Sequence, residues 1–182
     1  MNTFQSDFLN TAIRRLKYYK DLAEKTFDQL ENKDFHYQYN EESNSIAIII
    51  QHMAGNMLSR WTNFLTEDGE KPWRQRDDEF AVHAYNKEEL IALWEKGWNC
   101  FLDTLATLKE EDLLKTVTIR QESLTVTDAL IRQLAHYPYH IGQIAYIGRM
   151  ARGAEWKSLS IPKGGSANYN QGNTIKDPAK KF

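Results

Sequence analysis

The 182-residue chain has one cysteine, Cys100, four prolines and nine glycines. A single cysteine excludes an intramolecular disulfide framework and any cysteine-rich zinc site, and makes a reducing compartment the expected setting. Six of the thirteen prolines and glycines lie after Arg152, which leaves few helix breakers upstream. Long apolar runs are missing too. The longest aliphatic run, Ile46 to Ile50, is far short of the ~20 residues of a membrane span. The segment Met1 to Asp7 has neither the basic nor the apolar region of a secretory leader. Charge is balanced, with 23 Lys+Arg against 25 Asp+Glu, and no Lys/Arg run exceeds Lys180-Lys181 in length. That balance gives no general field for a polyanion. The expectation is a cytoplasmic protein whose partners include neither nucleic acid nor membrane.

What is present is enough to fold. With 41% hydrophobic residues, a chain of this size can bury ~70% of its unfolded surface without a disulfide or structural metal. Any metal is therefore expected to serve chemistry. Apolar residues recur at helical spacing over about Thr3 to Glu31, including Phe8, Leu9, Ala12, Ile13, Leu16, Ala23 and Phe27. Ser45 can cap a second helix running to about Leu65, and Asn86 with Glu89 forms the cap signature of a third. The β-branched stretch between Lys115 and Thr125 predicts a short extended or hairpin excursion. A fourth helix is expected from about Thr127 to Arg152, with Gly153 able to end it. The fold class predicted is all-α, a four-helix bundle over residues 1–152 with a short extended excursion before helix four. An irregular C-terminal tail, 153–182, has Trp156, Leu159, Ile161 and Tyr169 as anchors for packing on the bundle.

The chain has five histidines, His36, His52, His83, His136 and His140. His136 and His140 stand at i and i+4, so they project from one face of helix four, one turn apart. An isolated pair of this kind also occurs in ordinary cores. Pro138 between them cannot donate to the helix ladder, and is expected to kink the helix or free a carbonyl near Leu134. His52 lies mid-way along helix two, offset from the apolar centre. That position suits either a surface histidine or a polar pocket beside the core, with Gly55 allowing close approach of another element. A third imidazole from a facing helix would complete a three-histidine site with open positions, as in catalytic rather than structural metal centres.

These segments carry a resemblance. Gln51-His-Met-Ala-Gly-Asn-Met57, Asp68-Gly-Glu-Lys-Pro-Trp73, His136-Tyr-Pro-Tyr-His-Ile-Gly-Gln143 and Ser158-Leu-Ser-Ile-Pro-Lys-Gly-Gly165 occur in order. The chain resembles the DinB-like superfamily, with its YfiT-like metalloenzymes and bacillithiol-, mycothiol- and glutathione-type thiol S-transferases. More narrowly, it resembles a branch of that superfamily known only as a domain of unknown function. The resemblance implies a divalent metal, zinc, nickel or iron, held by His52, His136 and His140. It favours a thiol S-transferase in which the metal activates a low-molecular-weight thiol such as bacillithiol against a small electrophile. A hydrolase using metal-bound hydroxide, or a non-catalytic metal- or ligand-binding stress-response module, is the alternative. Gln143 and Asn56 are candidates for hydrogen bonds near the site, with ordinary boundary residues as the other reading. Cys100 reads as a small buried thiol, His36 and His83 as surface or boundary residues, and Lys163 to Ser166 as a turn rather than a phosphate nest. Helix one and the tail are candidate surfaces for a homodimer.

Overall fold

The computed structural model describes residues 3–172 and 176–182. Met1 and Asn2 of the leader argument, and 173–175 of the tail, lie outside the described residues. Four long helices dominate: α1 (Phe4–Phe27), α3 (Ile46–Trp61), α4 (Lys87–Thr107) and α5 (Val126–Arg152). Short helices α2 (Asn32–Phe35) and α6 (Ser166–Gln171) and a hairpin of β1 (Thr116–Ile119) and β2 (Glu122–Thr125) complete the regular structure. Each long helix packs on two others: α3 on α4 and α5, α1 on α5 and α4. Among the described residues, no helix is long and apolar enough to cross a membrane.

The helix boundaries follow local chemistry. Ser45 Oγ accepts the Ile48 N–H at the start of α3, and Asn86 with Glu89 forms a reciprocal capping box on α4. Gly153, at φ 53°, terminates α5. Three expectations shift. The first helix stops at Phe27; residues 28–31, expected to end it, leave the helix, and the separate short helix α2 follows them. The second stops at Trp61, where Thr62 takes extended geometry. The last begins one turn-residue pair early, with Thr125 rather than Thr127 capping it through the Asp128 N–H. Helix α5 runs unbroken through Pro138.

The core is aromatic. Trp61, Trp94, Trp98, Phe101 and Tyr137 are all buried. The rings of Trp61 and Phe101 lie 4.6 Å apart, and Phe101 meets Tyr137 edge-on at 5.2 Å. Gly97 lets α3 and α4 close up, because a Cβ there would sit 2.9 Å from the Cα of Ala54. In the C-terminal segment, the expected anchors Trp156, Leu159 and Tyr169 are only half-buried and Ile161 is exposed. The strongest attachment lies further on. Arg15 of α1 grips Asp177 through two bonds of 2.6 and 2.7 Å, and Ala179 is fully buried.

The loop between α3 and α4 is tied to the hairpin by Asp68. The turn residues Arg120 and Gln121 have φ of 55° and 65°, which suits the right-handed twist of a two-residue hairpin but disfavours non-glycine side chains. Asp68 offsets this by accepting both of their N–H groups, at 2.8 and 2.7 Å. Gly69 N–H donates to the Thr118 carbonyl at 2.8 Å, and the Gly69 carbonyl accepts from Ser59 and Arg60 of α3. Buried Lys71 donates to the Asp68 carbonyl. The Asp68-Gly-Glu-Lys motif is thus a clamp joining α3, loop and hairpin. Desolvation raises the Asp68 carboxyl, but the combined hydrogen bonds from Gln121, Glu70, Arg120 and Thr118 outweigh it and hold the pKa down to about 2.

A depressed carboxylate stabilises the fold above its unfolded pKa, and that contribution is lost as pH falls through the folded value. Asp68→Ala is expected to lower stability by ~1–3 kcal/mol at pH 7. In urea titrations, the gap between wild type and variant should close between pH 4 and pH 2. A gap independent of pH would contradict the clamp.

Candidate metal centre

His52 on α3 faces His136 and His140 on α5. The His136 Nε2 lies 3.0 Å from His140 Nε2 and 3.4 Å from His52 Nε2, and the candidate ligand atoms all fall within 4.8 Å of one another. His52 and His140 are buried, and His136 is half-buried. Sequence spacing placed the pair on one helix face, and the fold brings the third imidazole to it. The choice left open for His52 is resolved towards a buried polar pocket, since it is 6% exposed.

Each ring is also held from behind. His52 Nδ1 lies 3.0 Å from Glu79 Oε2, His140 Nδ1 lies 2.9 Å from Gln143 Oε1, and His136 Nδ1 has a longer contact of 3.4 Å with Gln133 Oε1. These oxygens accept, so the Nδ1 atoms donate, and the Nε2 atoms are left with lone pairs pointing at one another. Three converging lone pairs in a poorly solvated site repel unless a positive charge lies between them. At His136 and His140 a proton does not supply it at neutral pH. Burial, followed by the charges of His140 and His52, pushes the His136 imidazole down to about 3. Burial also lowers His140, against a smaller opposing effect of its bond to Gln143.

The donor set fits a divalent cation. Ligands ~2.0–2.1 Å from a tetrahedral ion lie ~3.3 Å apart, close to two of the three separations, 3.0 and 3.4 Å, with the third inside 4.8 Å. The oxygen partner behind each imidazole matches the way metal-bound histidines are oriented in known sites. Among the described residues, these three are the group of His, Cys, Asp and Glu side chains that can hold a metal ion.

Glu79, which sequence spacing did not single out, is the keystone of this arrangement. It stands in a short 3-10 turn, Asp78–Phe80, in the loop between α3 and α4, and is 8% exposed. Arg74 holds it with two bonds, Nε to Oε1 at 2.7 Å and Nη2 to Oε2 at 2.8 Å. Burial raises the Glu79 carboxyl, but the bonds from Arg74 and His52 outweigh it, so it stays below the usual carboxylate range and ionised. Its approach requires Gly55, where a Cβ would fall 2.2 Å from Glu79 Oε1. That glycine, inside a helix of good helix formers, was the one sequence signal of a close neighbour. Phe80 covers the His52 ring at 4.9 Å.

The other candidates distribute as follows. Gln143 bonds His140 directly. Asn56 makes no hydrogen bond to the triad; its Oδ1 accepts the Tyr137 hydroxyl at 3.2 Å. Cys100 is half-buried rather than buried, with Sγ 3.6 Å from Thr62 Oγ1, and takes no part in the site. His36 and His83 stand apart on the Tyr85 and Asp78 carbonyls. Gly164 and Gly165 form a turn over Pro162, and Trp73, at the end of the Asp68–Trp73 motif, is 54% exposed. Two cavities lie near the site, one reaching Gln143, the partner of His140, and one reaching the imidazoles. One of about 660 Å³ has Tyr37, Tyr39, Tyr146 and Gln143 in its wall. The other, about 200 Å³, contains His52 and His136 themselves.

Residues 3–165 match the family model described as "Protein of unknown function (DUF1572)". No curated protein and no solved structure gives a match.

In metal-free protein, 15N imidazole NMR above pH 7 should show His52 as the Nδ1–H tautomer, with exchange between tautomers appearing in Glu79→Ala. A dominant Nε2–H tautomer of His52 in the wild type would contradict the assigned arrangement.

Proposed function

The chain belongs to the DUF1572 family, and from its site we propose a metal-dependent enzyme acting on small molecules, of the thiol S-transferase type. The observation that carries the reading is the convergence of three Nε2 atoms, each ring backed by an oxygen acceptor at Nδ1. His52, His136 and His140 would hold the cation. In the same reading the four long helices form a DinB-like bundle over residues 1–152, with 153–182 packed upon it. The four ordered sequence motifs support that assignment.

Three neutral imidazoles leave a divalent ion its full charge, which lowers the pKa of a thiol or water in the remaining coordination positions. The chain's own part is to orient and to exclude water. Glu79 fixes the His52 ring, Arg74 fixes Glu79, and Gln143 fixes His140. Phe80 shields the His52 side from solvent. In the reaction, the thiol sulfur bonds to an electrophilic carbon, the bond from that carbon to its leaving group breaks, and the thiol proton passes to solvent or to the leaving group. Among the described residues, Glu79, the carboxylate bonded to the triad, is committed to Arg74 and His52 and is not free to protonate a leaving group. This favours electrophiles whose leaving groups depart as anions.

Elemental analysis of purified protein should give about one equivalent of metal, and essentially none in the triple variant His52→Ala, His136→Ala, His140→Ala. Equal metal in both would contradict the site. With bacillithiol or glutathione and monobromobimane, the rate should fall on chelation and return with metal; a rate indifferent to chelation would count against thiol activation. Gly55→Ala should weaken metal affinity ~10–100-fold by displacing Glu79 from His52, while the helix itself, gaining alanine for glycine, stays intact. Unchanged affinity would remove Glu79 from the account.

A further inference from the structure

The smaller cavity beside the triad, about 200 Å³, is walled by five arginines. Arg60 comes from α3, Arg74 and Arg76 from the loop that carries Glu79, Arg120 from the hairpin turn and Arg132 from α5. Two carboxylates answer them. Glu70 pairs with Arg60 at 2.9 Å and Arg120 at 3.1 Å, and Glu79 takes Arg74. Among the described residues, Arg76 and Arg132 make no ion pair or side-chain hydrogen bond. Five guanidinium groups against two carboxylates leave the cavity strongly cationic, although the whole chain carries a net charge of −2.

Arg74 makes the independent point. Its side chain is 2% exposed, and two of its nitrogens serve Glu79, yet the buried Nη1 has no hydrogen-bond partner. The nearest carboxylate oxygen, on Glu70, is 3.8 Å away, beyond hydrogen-bond reach. A buried guanidinium N–H left open beside a polar cavity is a donor awaiting an acceptor. Asn56 lines the same space. Its Oδ1 is occupied by Tyr137, so its amide N–H₂ adds a further donor. The volume is below the ~300–1,000 Å³ of sites that enclose a whole ligand, and suits one end group. Buried Arg60 and Arg74 are out of reach of a polymer backbone, which needs an exposed basic stripe.

We infer that this cavity is a recognition site for an oxyanion group, phosphate or carboxylate, on the small molecule whose reacting atom lies at the three imidazoles. Guanidinium forks match both groups through paired N–H···O bonds. The placement relative to the reacting atom rests on the metal reading above; the anion site itself stands on the arginines. His52 and His136 close one side of the cavity, so an anion held there places the rest of its molecule against the triad. The specificity expected is for anionic substrates or thiols over neutral analogues of the same shape.

Isothermal titration calorimetry of the full chain at low ionic strength, with inorganic phosphate and in parallel with succinate, tests this. Metal-free and metal-loaded protein are compared, in wild type and in the double variant Arg76→Ala, Arg132→Ala. Saturable binding of at least one anion to the metal-free wild type, weakened tenfold or more in the double variant at unchanged metal content, is the expected result. Phosphate alone binding identifies a phosphate group, and succinate alone a carboxylate. Absence of saturable binding of either anion overturns the inference, as does binding undiminished in the double variant. Binding that requires metal and ignores the arginines also overturns it, since the anion would then be a metal ligand. Failure of the metal reading shows elsewhere, as equal metal in the triple-histidine variant, and leaves the metal-free titration unaffected.

Discussion

Three imidazole Nε2 atoms point at one another because each Nδ1 is held by an oxygen on the far side of its ring. That constraint organises much of the surrounding structure. Glu79 can reach His52 only where α3 has a glycine, and it stays ionised in a buried position only because Arg74 chelates it. Arg74 in turn belongs to a loop fastened to α3 and to the hairpin by Asp68, Gly69 and Lys71. The hairpin turn can adopt two left-handed residues because the Asp68 carboxylate accepts both of their N–H groups. A chain of local decisions, each with its own donor and acceptor, ends in the orientation of one histidine ring.

The core permits this. Trp61, Trp94, Trp98, Phe101 and Tyr137 interlock among α3, α4 and α5, and only Tyr137 reaches on to the site, against His136 and Asn56. The triad, by contrast, buries polar rings, and burial pushes the imidazoles of His136 and His140 towards the neutral form. Such an arrangement costs stability in the absence of a cation. It is the kind of local inconsistency that a fold with a self-sufficient apolar core can carry at a functional site.

Much of the architecture was legible in sequence because its causes are local. The Asn86–Glu89 box, the Ser45 cap, Gly153 and the β-branched hairpin strands act within a few residues, and each appears where local chemistry puts it. The i, i+4 spacing of His136 and His140 is likewise a property of one helix. His52 joined them through a resemblance covering four motifs, since nothing local says which helix faces which. Glu79 was not legible because its partners, His52 and Arg74, are fixed by how an irregular loop folds back over α3. The arginine cavity was hidden for the same reason, its members lying between positions 60 and 132 with no shared spacing. The end of α1 at Phe27 and the separate α2 were missed because the apolar rhythm continues through Leu30 although the backbone turns. Ile161 shows the opposite error, an apolar residue expected to anchor the tail that packing leaves outside.

The central claim is that the imidazoles of His52, His136 and His140 together hold one ion. X-ray absorption at the K-edge of whichever metal copurifies with the chain tests it most directly. The account predicts a first coordination shell with three imidazole nitrogens at ~2.0–2.2 Å, with the outer-shell scattering of intact rings. A shell lacking imidazole scattering, or one unchanged in the triple-histidine variant, would contradict it.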